Sequence, residues 1–210
     1  MKALIVVDVQ NDFLPGGALA VPQGDEIIPL VNRLSAAFPV VVATQDWHPE
    51  DHGSFAANHP EKEPGDAVHL EGVHQRLWPV HCVQGQPGAE FHHQVENLRE
   101  AHIVRKGTDP TVDSYSGFYD NGRRKATGLG DLLRQNGVDE VYIVGLATDY
   151  CVKFTALDAV GLGYTTFVIP EACRGVDLQP GDSDRALEEL QSAGVGLLSV
   201  EEALRRASQD

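Results

Sequence analysis

Cationic residues are scarce in this chain: 16 Lys and Arg stand against 31 Asp and Glu, a formal charge of -15. That balance argues against nucleic acid and anionic membranes as partners, because both are bound through clustered Lys and Arg. The cations are also scattered, with only short pairs such as Arg123-Arg124 and Arg205-Arg206. Cysteine is sparse and odd in number, at Cys82, Cys151 and Cys173, which fits a reducing cytoplasm and not a disulfide framework. Long apolar runs are missing too. From Lys2 the chain enters a five-residue apolar run stopped by Asp8, too short for a membrane span or the apolar core of a signal peptide, so a cytoplasmic location is expected. No repeat, low-complexity stretch or charged linker interrupts the 210 residues, and residues 1–210 are expected to form a single domain.

What the sequence does have is strands and helices in alternation. Ala3 to Val7 is a continuous β-branched run, the pattern of a strand buried on both faces of a parallel sheet. Asp25 to Phe38 places Ile27, Leu30, Val31, Leu34 and Phe38 at helical spacing, and Val40 to Ala43 follows as a strand, completing a βαβ crossover. Periodicity then disappears from Thr44 to about Ala101, where six of the nine histidines lie between His48 and His81. A structureless stretch of that length inside a domain is usually functional. Further strands are expected at 102–105, 140–144, 164–169 and 195–198, with helices at 127–136, 152–160 and 183–193 and a last one from Val200. The fold class is therefore α/β: a three-layer α/β/α domain around a six-stranded, largely parallel sheet.

In such sheets ligands bind at the carboxyl ends of the strands. Asp8 stands after the first strand, Asp46 just past the second, Lys106 after the third, and the turn from Ala147 to Cys151 after the fourth. A cysteine entering a helix after a strand is more often a small buried apolar residue, and alone it would carry no argument. Grouped with Asp8 and Lys106 on one rim, it makes a catalytic set. A free thiol is only about 3% thiolate at neutral pH, and the helix N-terminus and Lys106 would depress the pKa of Cys151. Asp8 would act as general base, a role that requires burial to raise its carboxyl toward neutrality. The turn before Cys151 would supply N–H donors to an oxyanion. The reaction class is acyl transfer to water through a thioester.

A second set is Asp46-Trp47-His48 with His81 in Trp78-Pro-Val-His-Cys82. Asp46 and His48, two apart in extended chain, face the same side, and a distant imidazole completes a facial set for one divalent ion. Zn²⁺, Fe²⁺ and Mn²⁺ are all compatible. His52 lies close behind, Cys82 is a soft alternative to His81, and the remaining histidines lack such partners.

Taken together, Asp8-Val-Gln-Asn-Asp-Phe13, Gly16-Gly17-Ala-Leu-Ala-Val21, Thr44-Gln-Asp-Trp-His-Pro49, Trp78-Pro-Val-His-Cys-Val83, Lys106-Gly107, Tyr115-Ser-Gly-Phe118 and Gly145-Leu-Ala-Thr-Asp-Tyr-Cys-Val152 resemble the nicotinamidase/pyrazinamidase family of isochorismatase-like cysteine hydrolases. The resemblance implies the isochorismatase-like hydrolase fold and a cytosolic amidase converting nicotinamide to nicotinate and ammonia in NAD salvage, with pyrazinamide as a second substrate. It implies Asp8, Lys106 and Cys151 as the catalytic triad and Asp46, His48 and His81 as metal ligands, the ion positioning the pyridine nitrogen. It further implies Phe13 and Trp78 as walls of the ring pocket, with Leu19 and Tyr115 nearby. A cis peptide at Leu146-Ala147 is implied as well, aiming the Ala147 N–H at the oxyanion together with that of Cys151. Whether His52 is a fourth ligand is left open, the loop 55–77 is longer than in short bacterial members, and a homo-oligomer is compatible with the sequence. The rival readings are a related cysteine hydrolase of carbamoyl or ureido substrates and a catalytically silent metal-binding module.

Overall fold

Six parallel strands form the central sheet of the computed structural model, which describes residues 1–96, 98 and 101–209. In chain order the elements are β1 (Lys2–Val7), α1 (Ile28–Ser35), β2 (Val40–Asp46), β3 (Ala67–Leu70), β4 (Val73–Arg76), β5 (His102–Lys106), α2 (Leu129–Gln135), β6 (Glu140–Leu146), α3 (Lys153–Gly161), β7 (Thr165–Arg174), α4 (Asp182–Ser192), β8 (Gly196–Leu197) and α5 (Val200–Ala207). The sheet order is β5-β2-β1-β6-β7-β8, and every pairing is parallel.

Alternation along β1 divides the core between two faces. Leu4 and Val6 pack with Ile28, Val31 and Leu34 of α1 and with Val200 and Ala203 of α5. Ala3, Ile5 and Val7 face the other way, onto Leu129 and Leu133 of α2, Ala156 and Ala159 of α3, and Leu190 of α4. Both faces are covered, which is why β1 and β6 read as unbroken apolar runs. The order reverses between β1 and β6, and the crevice at such a switch point opens at the carboxyl ends of the strands.

Several boundaries differ from the sequence pattern. The segment at 25–38 begins as a 3₁₀ turn, Gly24–Ile27, and the α-helix stops at Ser35, so Phe38 joins the core from a connection. β2 runs three residues past Ala43, and Asp46 is its last residue. β7 continues well beyond Ile169, past a register shift opposite Ile143 and Gly145. The 44–101 region, three residues of which lie outside the described ones, is not structureless. It carries the antiparallel hairpin β3-β4, whose turn residues Glu71 and Gly72 have φ of 49° and 81°, the left-handed pair a tight two-residue hairpin requires. No helix among the described residues is long and apolar enough to cross a membrane.

Candidate active site

β2 and β5 end side by side, so Asp46 and Lys106 are register partners at the rim. Lys106 is buried, and its Nζ lies 2.5 Å from Asp46 Oδ1, 2.9 Å from Asp8 Oδ2 and 3.3 Å from Cys151 Sγ, while donating to Ser114 O at 2.9 Å. A buried ammonium is tolerable only when so surrounded. Burial would lower its pKa, but Asp46, Asp8 and Cys151 raise it well above the ordinary lysine value, so it is a fixed cation.

Asp8 leaves β1 with φ 49°, a strained left-handed conformation that turns its carboxylate along the rim. Thr44, opposite Val7 on β2, donates its hydroxyl to Asp8 Oδ1 at 2.6 Å. Burial raises Asp8 to about 6, with Lys106 pulling the other way. The shift toward neutrality that a general base requires is present, and it comes from desolvation. Cys151 departs from expectation. It sits inside a π-helical turn, Thr148–Val152, ahead of α3, and burial pushes its thiol well above the ordinary value although Lys106 opposes this. Desolvation outweighs the neighbouring cation, so the thiol is raised where depression was expected. The Leu146-Ala147 peptide is cis, and Ala147 O accepts from the N–H groups of Tyr150 and Val152 at 3.1 Å each.

The candidate metal-ligand set is held from behind. His48 Nδ1 is hydrogen-bonded to Gly107 O at 2.8 Å and His81 Nδ1 to Pro79 O at 2.8 Å, which leaves the two Nε2 atoms to face inward. The His48 Nε2 is buried with no hydrogen-bond partner and lies 3.6 Å from Asp46 Oδ2. Burial would raise Asp46, but Lys106 and His48 hold it well below the carboxylate range, so it is ionised. Burial, followed by the effect of His48, lowers His81 to about 4, so its imidazole is neutral, the form that ligates. Asp46, His48 and His81 bring their ligand atoms within 4.8 Å of one another. Burial would lower His48, but Asp46 beside it raises its pKa above the ordinary imidazole value, so a bound ion would have to displace that proton. An anionic oxygen and two oriented imidazole nitrogens suit a borderline divalent ion.

Two other groupings meet the same distance criterion. Asp8, Asp46 and Cys151 surround the Lys106 ammonium, which already supplies their cation. His48, His52 and Asp113 form the other. His52 is buried beside His48, its Nδ1 is 2.7 Å from Ser54 Oγ, and its Nε2 has no partner. Cys82 joins no ligand grouping among the described residues, and burial raises its thiol.

One pocket collects these pieces. It is lined by Phe13, Leu19, Trp78 and Tyr115, by Asp46 and His81, and by Ala147 and Cys151. Asp8, Lys106 and His48 stand behind that lining, fully or almost fully buried. Sequence reasoning missed Val21, Asp113, Tyr150 and Val176, which complete the walls. It also missed what the first motif does. Gln10 accepts from Asp46 N at 2.8 Å and donates to Asp46 O at 2.9 Å, clamping the backbone of this candidate ligand. Asp12 accepts from Cys82 N at 2.7 Å and from Ala18 N at 3.2 Å, tying the His81 loop to the loop that carries Leu19. The two-residue spacing of Asp8, Gln10 and Asp12 was the available signal, but their partners are distant in sequence.

The isochorismatase domain family matches residues 2–202. The nicotinamidase of Escherichia coli strain K12 is 50% identical over 203 residues, covering 95% of each chain. The chain belongs to the isochorismatase family. Within it, the solved structure of an Acinetobacter nicotinamidase/pyrazinamidase superposes with a TM-score of 0.92 at 49% identity, covering 96% of this chain and 97% of that one. The pyrazinamidase of Pyrococcus horikoshii, solved in complex with zinc, superposes with a TM-score of 0.79 at 44% identity over 94% and 98%. These relatives place this isochorismatase-family chain in its nicotinamidase branch, and the chain is an amidase.

Proposed function

We propose that residues 1–210 act as one catalytic domain that hydrolyses nicotinamide to nicotinate and ammonia, and pyrazinamide likewise, through a thioester on Cys151. The observation that carries this reading is the position of Lys106 Nζ, in contact with both Asp8 and Cys151, while Cys151 itself opens onto an aromatic-walled pocket.

In the proposed reaction the ring lies between Phe13 and Trp78, with its carboxamide at Cys151. Asp8 takes the thiol proton as sulfur attacks the carbonyl carbon, and the Lys106 cation stabilises the thiolate as it forms. The carbonyl oxygen, now an oxyanion, faces the N–H groups of Ala147 and Cys151, each such donor being worth roughly 3 to 4 kcal/mol. Asp8 returns the proton to the leaving nitrogen, the C–N bond breaks and ammonia departs. Asp8 then deprotonates a water that attacks the thioester, releasing nicotinate and restoring the thiol. Asp46, His48 and His81 are the proposed ligands of one divalent ion, Zn²⁺, Fe²⁺ or Mn²⁺, which when bound supplies a Lewis-acid anchor for the ring nitrogen. His52 stands beside this set. The cell role we propose is pyridine-nucleotide salvage in the cytoplasm.

The test is ammonia release from nicotinamide by the purified protein, with Cys151→Ala as control and carbamoyl amides for comparison. Release that vanishes in the variant supports the reading. Turnover of carbamoyl amides alone would keep the triad and discard the substrate.

A further inference from the structure

Tyr115 and Tyr150 each line two spaces. On one side is the reaction pocket, with about 420 Å³ of empty volume, and on the other an open groove of about 1180 Å³. The two rings meet at 5.4 Å between centroids and 72°, and Tyr150 also packs edge-on against Trp78 at 5.0 Å. They form a wall one aromatic ring thick. Tyr115 is anchored in it, since Trp78 Nε1 donates to its hydroxyl at 3.0 Å and Phe154 packs on its outer face at 5.5 Å. Tyr150 is half-buried and projects from the π-helical turn immediately before Cys151.

The groove beyond the wall is polar and holds charges of both signs, including Arg76 beside Tyr150, whose guanidinium donates to Gly65 O at 2.8 Å. Lys153 pairs with Glu189 at 3.2 Å and Arg185 with Asp182 at 2.5 Å. The Asp149 carboxylate accepts the N–H groups of Val176 and Asp177 at 2.9 Å each. Phe154 and Leu178 add exposed apolar surface. Three cations, Arg76, Lys153 and Arg185, and three anions, Asp149, Asp182 and Glu189, line it, so the groove carries no net charge and suits a neutral group with a short apolar stem and a polar end.

We infer that Tyr150 is a specificity-determining partition, and that the groove behind it is a subsite for a neutral polar substituent on the ring edge of an aromatic amide. This rests on the amidase reading above. There, Phe13 and Trp78 take the ring faces, Asp46 and His81 lie at the ring-nitrogen end and Cys151 takes the carboxamide. The proposed placement sets the ring edge remote from both anchors against Tyr115 and Tyr150, which line the same pocket. A substituent at that edge collides with Tyr150 in the native chain and extends into the groove once the side chain is cut back.

The experiment compares kcat/KM for nicotinamide with that for nicotinamide carrying a 2-hydroxyethyl group at ring carbon 5, in wild type, Tyr150→Ala and Tyr150→Phe. Using the ratio of the two substrates cancels any general loss of activity or folding. The ratio is expected to rise at least about tenfold in Tyr150→Ala, the scale on which a few methylenes of steric exclusion operate. It should stay near the wild-type value in Tyr150→Phe, which keeps the ring and so the wall. A flat ratio in Tyr150→Ala, with nicotinamide still turned over, overturns the inference. So does a gain confined to N-(2-hydroxyethyl)nicotinamide, which would put the opening beside the leaving group. Absence of nicotinamide turnover in wild type defeats the amidase reading instead, a separate outcome.

Discussion

Asp46 and Lys106 end adjacent parallel strands in register, and the Lys106 ammonium lies 2.5 Å from Asp46 Oδ1. One cation therefore belongs both to the surroundings of Cys151, the proposed nucleophile, and to the carboxylate of the proposed metal-ligand set. The two sets read as separate in the sequence, and the structure joins them through a single side chain.

Cys151→Ala should lower ammonia release by roughly 10⁴-fold or more, since nothing else in the pocket can form the acyl bond. Metal content should be retained, because Asp46, His48 and His81 keep their backbone and ring anchors without the thiol. Metal analysis alongside the ammonia assay checks both halves, and loss of metal in this variant would mean that the thiol itself is a ligand.

Asp46→Ala or His81→Ala should weaken metal binding by more than about 100-fold and raise KM for nicotinamide, each removing one of three converging donors. Equilibrium dialysis against Zn²⁺ decides the matter, and full occupancy in both variants would sink the ligand assignment.

Thr44→Val should move the acid limb of the kcat/KM profile up by about half a pH unit to one, with Thr44→Ser restoring it. The Thr44 hydroxyl bonds the ionised form of Asp8, so its loss favours the protonated carboxyl. A cation held at Asp46 would pull the same limb down, so the proteins are compared at equal metal content. Asp8 also sets a sign for stability. Burial raises it from an ordinary 3.8 to about 6, so between those values the native chain binds the proton more tightly than the unfolded one. Its contribution to stability is greatest below about pH 4 and falls as pH rises to about 6.

Gly107→Ala should cost about 1–3 kcal/mol of stability and release metal. Gly107 has φ 62°, and a Cβ there would lie 2.3 Å from His48 Cε1 and 2.5 Å from Nδ1, the atom its own carbonyl holds. Thermal unfolding with and without Zn²⁺ measures both effects, and an unchanged metal affinity would show that His48 can shift without leaving the site.

Local chemistry in the chain determined the strands, their parallel arrangement and the rim on which Asp8, Asp46, Lys106 and Cys151 gather, because an apolar run that stops at a charged residue marks where burial ends. The convergence of Asp46, His48 and His81 was legible as Asp46-Trp47-His48 plus one remote histidine, since residue type and extended spacing restrict which side chains can face one point. Tertiary structure alone decided the rest. That Gln10 clamps Asp46 and Asp12 pins the Cys82 backbone follows from contacts across 36 and 70 residues of chain. The thiol of Cys151 was expected to be depressed and is raised, because desolvation at a buried position in the pocket wall outweighs one nearby cation. Burial and register are properties of the packed whole, and no local window of sequence contains them.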